Sequence, residues 1–220
     1  MHISFDFDYT LADSSGGSIA CANFALRELG FKDSGESDIR RTIGLSLERT
    51  FEALGYGSAD SPIAEDFKRL FLEHAEQVML CHIHLYSGTA QALKSLRRDG
   101  HHISIVSTKK KERIEEAVGR DGLSELIDIV IGGGCVKNNK PHPEGLERAI
   151  KELGLPIGET LYVGDSISDG ECASRAGSRF IGLLSGETTR LELVKWDPVC
   201  VLSCIDEVPN FVSSLKGANT

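Results

Sequence analysis

Four times along this 220-residue chain a short apolar run breaks off directly into polar residues. His2 to Phe5 ends in Asp6-Phe7-Asp8, and His102 to Val106 ends in Ser107-Thr108-Lys109. Ile127 to Ile131 passes through Gly132-Gly133-Gly134 toward Lys140-Pro141-His142-Pro143, and Thr160 to Val163 ends in Gly164-Asp165-Ser166-Ile167-Ser168-Asp169. A brief, almost continuous hydrophobic run is what a strand buried on both faces requires, as in a parallel sheet covered by helices. Parallel strands joined by right-handed crossovers all point one way, so the four polar ends converge on one rim, where open α/β sheets bind their ligands. The chain is therefore expected to form an α/β fold around a doubly wound parallel sheet.

The rim then has a definite composition: Asp6, Asp8, Asp165 and Asp169 on one side, Ser107, Thr108 and Lys140 on the other. Taken alone, Asp6 and Asp8 could be an acidic turn capping the next helix; the other three strand ends favour a site. A helix expected to start near Lys110 offers backbone donors beside the Ser107 and Thr108 hydroxyls. Prolines on either side of His142 are expected to keep the Lys140 segment extended. A helix starting between Asp165 and Asp169 puts both acids on one face. Crowded carboxylates repel unless a cation joins them, and an all-oxygen donor set favours Mg²⁺, which usually works beside a phosphate.

These motifs, in this order, resemble the haloacid dehalogenase-like hydrolases, and within them the phosphoglycolate phosphatase-like branch. Asp6 to Thr10 is similar to the family's Asp-x-Asp-x-Thr, Ser107 to its strand-closing Ser or Thr, and Lys140 to its lysine. Gly164 to Asp169 matches its Gly-Asp-x-x-x-Asp. The resemblance implies Asp6 as nucleophile and metal ligand, and Asp8 as general acid and base that lends its backbone carbonyl to the metal. It implies Asp165 as a further ligand and Asp169 as a closing ligand or a partner one shell out. Ser107, with Thr108, and Lys140 hold the phosphoryl group, and Lys140 steadies Asp6. Dehalogenases of the family lack the acid at the position of Asp8, which points to phosphoryl transfer. Tyr9 stands where most members carry Gly, which puts the shape of the loop after the nucleophile in question.

The function so implied is Mg²⁺-dependent hydrolysis of a small phosphate monoester through an aspartyl-phosphate. The alternatives are a phosphomutase using the same site, though such relatives carry an acid where this chain has Gly164, or a non-catalytic phosphate-binding module. A receiver-type signalling domain shares the Asp, Ser or Thr, and Lys set, but lacks the role of Asp8 and is usually shorter.

Residues 15–86 read as an all-helical cap inserted into an α/β core made of 1–14 and 87–220. Helices are expected over Ser18 to Leu29 and Leu47 to Leu54, with a third opened by Ser61-Pro62 and running to Leu80. The stripe Phe67, Leu70, Phe71, His74, Val78 and Met79 is core by its spacing. Gly16-Gly17 and Ser87-Gly88 are expected hinges. Within the family a cap here sets substrate choice, so Arg40, Arg41, Thr42 and Gly44 are candidates for substrate contact. The run Lys109-Lys110-Lys111 reads as a solvated charge run, and His82 and His84 as ordinary surface or interface residues. Two further strands and helices after Arg179 extend the core.

A net charge of −9 leaves no basic surface for nucleic acid. No apolar stretch reaches the ~18 residues of a membrane span, and the chain opens on a strand, not a signal peptide, so a cytoplasmic location is expected. Its partner is expected to be a small phosphorylated metabolite, with the chain a monomer or homodimer. The six cysteines form no Cys-x-x-Cys pair and read as reduced core thiols.

Overall fold

A computed structural model of the chain describes residues 1–217. The chain divides into two compact units, one made of Met1–Ala12 and the chain from Leu85 onward, the other of Asp13–His84. The division lies two residues before the expected 14/15 and 86/87 boundaries. It coincides with a two-stranded sheet that pairs Ala12–Asp13 with His84–Leu85.

The first unit holds six strands, here β1 (His2–Phe5), β2 (His102–Lys110), β3 (Ile129–Gly133), β4 (Thr160–Gly164), β5 (Arg179–Leu183) and β6 (Cys200–Leu202). They form one sheet in the order β3-β2-β1-β4-β5-β6, every pair parallel. The order reverses at β1, the switch point at which open α/β sheets place their ligands. Helices Thr89–Arg98, Lys111–Arg120, Glu144–Leu153 and Ile167–Ala176 make the crossovers among the first five strands. Leu146, Ala149, Cys172 and Ala173 from two of these helices pack on Val106, Tyr162 and Phe180 of the sheet. Strands β1 and β4 are buried at every position, as their uninterrupted runs require. The expected doubly wound parallel sheet is present.

Burying β1 and β4 also buries polar side chains, which must find partners. His2 Nε2 lies 2.8 Å from Ser104 Oγ, whose hydroxyl donates to Ser4 Oγ at 2.8 Å, and His2 Nδ1 lies 3.3 Å from Thr160 Oγ1. A neutral ring completes this chain, with Nε2–H donating to Ser104 and Nδ1 accepting from Thr160, an assignment that follows from the network. Burial, reinforced by nearby His102, lowers the His2 pKa from 6.5 to about 4.

The second unit is helical: Ser15–Glu28, Glu36–Arg40, Leu47–Ala53 and Pro62–Val78, followed by a 3₁₀ turn at Leu80–His82. Ser61 caps the long helix by accepting the Ala64 N–H, with Pro62 in its first turn, where proline is tolerated. Its apolar stripe packs as expected: Phe67 and Phe71 are buried, Phe51 lies 5.4 Å from Phe67 between ring centroids, and His74 stacks on Phe24 at 4.1 Å. The short helix Glu36–Arg40 was not foreseen from the sequence.

Two expectations are corrected here. Gly16 and Gly17 lie inside the helix Ser15–Glu28, and a Cβ on Gly17 would come within 2.7 Å of Met79 Sδ and 3.1 Å of His82 Cβ. These glycines let the Leu80–His82 turn approach a helix, so they are not a hinge. Of the cysteines, all free, only Cys21 and Cys172 are buried, and Cys81 is exposed. Among the described residues no helix is long and apolar enough to cross a membrane.

A histidine kept neutral by the fold takes up a proton when the chain unfolds below pH 6.5. Its contribution to stability is therefore whole above pH 6.5 and is lost as the pH falls toward 4. The full loss is roughly 3 kcal/mol. Thermal denaturation of His2→Gln should show a shallower fall in Tm between pH 6.5 and 4.5 than the parent chain. Equal slopes would exclude this role for His2.

Candidate active site

Register fixes the rim. Phe5 pairs with Ile105 on one side and Val163 on the other, so Asp6 emerges between the ends of β2 and β4, its N–H donating to Val163 O at 2.9 Å. Asp165 follows β4 directly, and Asp169 sits in the first turn of the helix Ile167–Ala176. Asp6, Asp165 and Asp169 are buried and each offers a carboxylate oxygen, all within 4.8 Å of one another. Lys140 Nζ enters the group 2.7 Å from Asp6 Oδ1 and 2.6 Å from Asp169 Oδ1. The expected convergence of these four is met.

Lys140 does not lie in extended chain. It belongs to a turn closed by the His142 N–H donating to Asn139 O at 3.0 Å, and the Lys140-Pro141 peptide is cis. The flanking prolines were read as holding the segment straight, but a tight turn also accommodates proline.

The carboxylates differ in their partners. Asp169 Oδ1 accepts from Lys140 at 2.6 Å, with the Tyr162 hydroxyl oxygen 3.2 Å away, while its Oδ2 accepts the Ser166 N–H at 3.0 Å and the Ser166 hydroxyl at 2.6 Å. Both oxygens are engaged by protein donors, and Ser166 with Asp169 forms a reciprocal cap on the helix. Asp165 Oδ1 accepts only weakly, from the Thr10 hydroxyl at 3.2 Å. Asp6 Oδ1 is buried with Lys140 Nζ at 2.7 Å, and among the described residues no other donor reaches it.

Burial, and then the neighbouring acids, push Asp6 and Asp165 upward. Asp6 is raised from 3.8 to about 6 by burial, against the pull of Lys140. Burial, then Asp169 and Asp6, lift Asp165 well above the usual carboxylate range. Burial alone would lower Lys140, but Asp169 and Asp6 carry its pKa above its ordinary value. With all four acids of this rim ionised, counting Asp8, and only the two ammonium groups of Lys140 and Lys109 facing them, two negative charges would be left over, which adds to burial in raising Asp6 and Asp165. An under-bonded Asp6 oxygen and a lightly held Asp165 carboxylate fit a small divalent cation with oxygen donors.

Asp8 lies one step along, and the structure departs from expectation around it. Lys109 is not a solvated lysine: its side chain is 6% exposed, and Nζ lies 2.9 Å from Asp8 Oδ1. Lys111 of the run behaves as expected, half exposed and pairing with Glu115 along its helix. Ser107 is buried at the end of the regular part of β2, its hydroxyl accepting the Lys109 N–H at 3.4 Å, and Thr108 follows in partly exposed chain. Tyr9 adopts φ +57°, the left-handed conformation in which glycine is at ease, so the loop after Asp6 turns as a glycine there would turn it. Arg41 is exposed and Gly44 has φ +97°, both in the helical unit. Arg40 Nη1 donates to Ser15 Oγ at 2.6 Å.

The sequence reading missed three residues. Tyr162, fully buried under Lys140 with its ring centroid 5.8 Å from Nζ, donates its hydroxyl to Val106 O at 2.7 Å and so ties β4 to β2 beneath the site. A Cβ on Gly164 would fall 2.4 Å from Asp169 Cγ, and one on Gly186 would fall 1.9 Å from Asp165 Oδ2. Tyr162 looked like one more strand residue, and Gly186 lies outside any motif; only Gly164 stood within a recognisable pattern.

The haloacid dehalogenase-like hydrolase family matches residues 3–183. The chain is 27% identical over 218 residues to a phosphoglycolate phosphatase of Colwellia psychrerythraea, covering 96% of this chain and 95% of the relative. It is 29% identical over 205 residues to one of Yersinia pestis, covering 91% and 88%. A crystal structure of a haloacid dehalogenase-like hydrolase from Bacteroides fragilis superposes with a TM-score of 0.90 at 36% identity, over 94% of this chain and 98% of that one.

Because Gly186 leaves no room for a side chain beside Asp165, Gly186→Ala should displace that carboxylate. It should weaken Mg²⁺ binding by about tenfold or more, as loss of a ligand's support commonly does, with little change in Tm. Calorimetric titration with Mg²⁺ checks this, and an unaltered affinity would exclude the role of Gly186. With the four motifs meeting at one rim on this fold, the chain belongs to the haloacid dehalogenase-like hydrolases.

Proposed function

We propose that this hydrolase is a Mg²⁺-dependent phosphatase acting on a small phosphate monoester, of the phosphoglycolate type, through an aspartyl-phosphate. The observation that carries the reading is Asp6: a buried carboxylate at the switch point of the sheet, one oxygen of which is approached by Lys140 alone among the described donors. Phosphate monoesters hydrolyse so slowly that an enzyme for them must remove about 20 kcal/mol of barrier. Splitting the reaction into attack by Asp6 on phosphorus and later attack by water on the phospho-enzyme replaces one hard displacement by two easier ones.

In the first displacement an Asp6 oxygen forms a bond to phosphorus as the ester oxygen departs, taking a proton from Asp8. In the second, Asp8 takes a proton from water, whose oxygen bonds to phosphorus and releases Asp6 and inorganic phosphate. Lys140 offsets charge on the phosphoryl oxygens, while Ser107 and Thr108 at the end of β2 hold them. Asp6 and Asp165, with the Asp8 carbonyl, would hold Mg²⁺, which when bound neutralises charge on the phosphoryl group. Asp169, its oxygens already engaged, anchors Lys140. The names of the relatives support the phosphoglycolate assignment. Gly164 disfavours a mutase with an acid at that position, because Asp169 fills the space a side chain there would need.

In a panel of phosphorylated metabolites assayed with Mg²⁺, the parent chain should release inorganic phosphate from phosphoglycolate or a close analogue. Chelation should abolish this, and Asp6→Asn should lower kcat by at least about 10³-fold. Turnover by Asp6→Asn at the parent rate, or formation of an isomeric phosphate without release, would overturn the reading.

A further inference from the structure

Among residues to which this mechanism gives no role, Lys109 stands in the most constrained surroundings. Strand β2 loses its regular register with β3 between Val106 and Lys110. Strand β3 passes so close to that irregular stretch that a Cβ on Gly132 would lie 2.4 Å from Lys111 N and 2.7 Å from Lys109 O. One on Gly133 would lie 2.3 Å from Thr108 O. The glycine pair is the room the irregular stretch needs. Bulges re-aim side chains, and here the outcome is a lysine turned inward. Its Nζ reaches both oxygens of Asp8, at 2.9 and 3.0 Å, between side chains only 6% and 9% exposed, and lies 6.0 Å from the Phe7 ring centroid.

This arrangement is costly. Holding a lysine in one conformation forfeits its rotamer entropy, and withdrawing its charge from water costs more. A lysine placed only for solubility would point outward, as Lys111 does. We infer that Lys109 is a positioning residue that fixes the Asp8 carboxyl where it can reach the ester oxygen of the substrate. The inference rests on the role of Asp8 as proton donor in the proposed function. An ammonium group donates to the carbonyl oxygen of a protonated carboxyl as well as to a carboxylate, so the hold persists through the proton transfer.

Positioning of an acid has a signature that phosphate binding and general scaffolding do not share. A nitrophenolate leaves without a proton, whereas an alkoxide needs one. The value of kcat/KM reports formation of the phospho-enzyme, and so isolates the step in which the leaving group departs. The experiment compares kcat/KM of the full chain for 4-nitrophenyl phosphate and for phosphoglycolate, or for whichever alkyl phosphate of the panel the parent turns over best. Lys109→Met should lose about tenfold or more beyond its loss on the aryl ester. Lys109→Gln, which keeps one donor, should fall between it and the parent; it also carries the comparison should the methionine variant not fold. Equal losses on both esters, or no loss, would overturn the inference while leaving the phosphatase reading intact. A parent chain that turns over no phosphate ester would overturn both.

Discussion

Everything at this rim depends on the Asp6-Lys140-Asp169 ion group, whose side chains are 2%, 3% and 0% exposed. Withdrawing such charges from water costs several kcal/mol per ion, which attraction repays only where the geometry is good and the remaining lone pairs and protons are satisfied. Asp169 meets that condition, with Lys140 donating to one oxygen and the Ser166 N–H and hydroxyl to the other. Asp6 does not, and Lys140 is therefore a fixed cation held by a saturated acid on one side and turned toward an under-bonded one on the other. A site organised in this way leaves its least satisfied carboxylate at the switch point of the sheet beside a fixed cation, which is where pre-set electrostatics has most effect.

The backbone around the group is built by removal of side chains as much as by their placement. Gly164 gives Asp169 its space, Gly186 gives Asp165 its space, and Gly132 with Gly133 admits the irregular end of β2. Tyr9 is the exception. It holds a left-handed conformation at a cost of roughly 1–2 kcal/mol for a residue with a Cβ, and is buried nonetheless. Its N–H donates to Ala12 O at 2.7 Å, and its carbonyl accepts from the Ser185 hydroxyl. The loop geometry that glycine would supply freely is here imposed by packing and hydrogen bonds.

Periodicity and strand-end chemistry carried the sheet, its direction and the meeting of Asp6, Lys140, Asp165 and Asp169, because a buried parallel strand leaves an unmistakable hydrophobic run. What lay outside that signal was harder to read. The helix Glu36–Arg40 is too short for a period, with one buried residue, Ile39. The glycines at 16 and 17 looked like a flexible joint because a sequence shows that a side chain is absent and not what fills the space. Lys109 looked like its two neighbours because the break in register at which it turns inward is set by contact with β3 and not by the residues of β2. Tyr162 was hidden for a related reason: the strand pattern explains its burial but says nothing of what its hydroxyl reaches.

The two acids after β1 are only two residues apart, yet each meets a different lysine from a different element, Lys140 from the turn after β3 and Lys109 from the irregular end of β2. A single shared lysine would couple the two acids, so that a change at one would move the other. Separate partners leave Asp6 in a buried group dominated by fixed charges while Asp8, to which the proposed function gives the proton transfers, sits slightly nearer solvent, 8% exposed against 1%. Divergent surroundings for neighbouring carboxyls are the general means by which two chemically identical groups take different roles. Here that divergence originates in β2 and β3: where β2 loses register, one lysine turns in toward Asp8, and where the chain beyond β3 turns, the other arrives at Asp6.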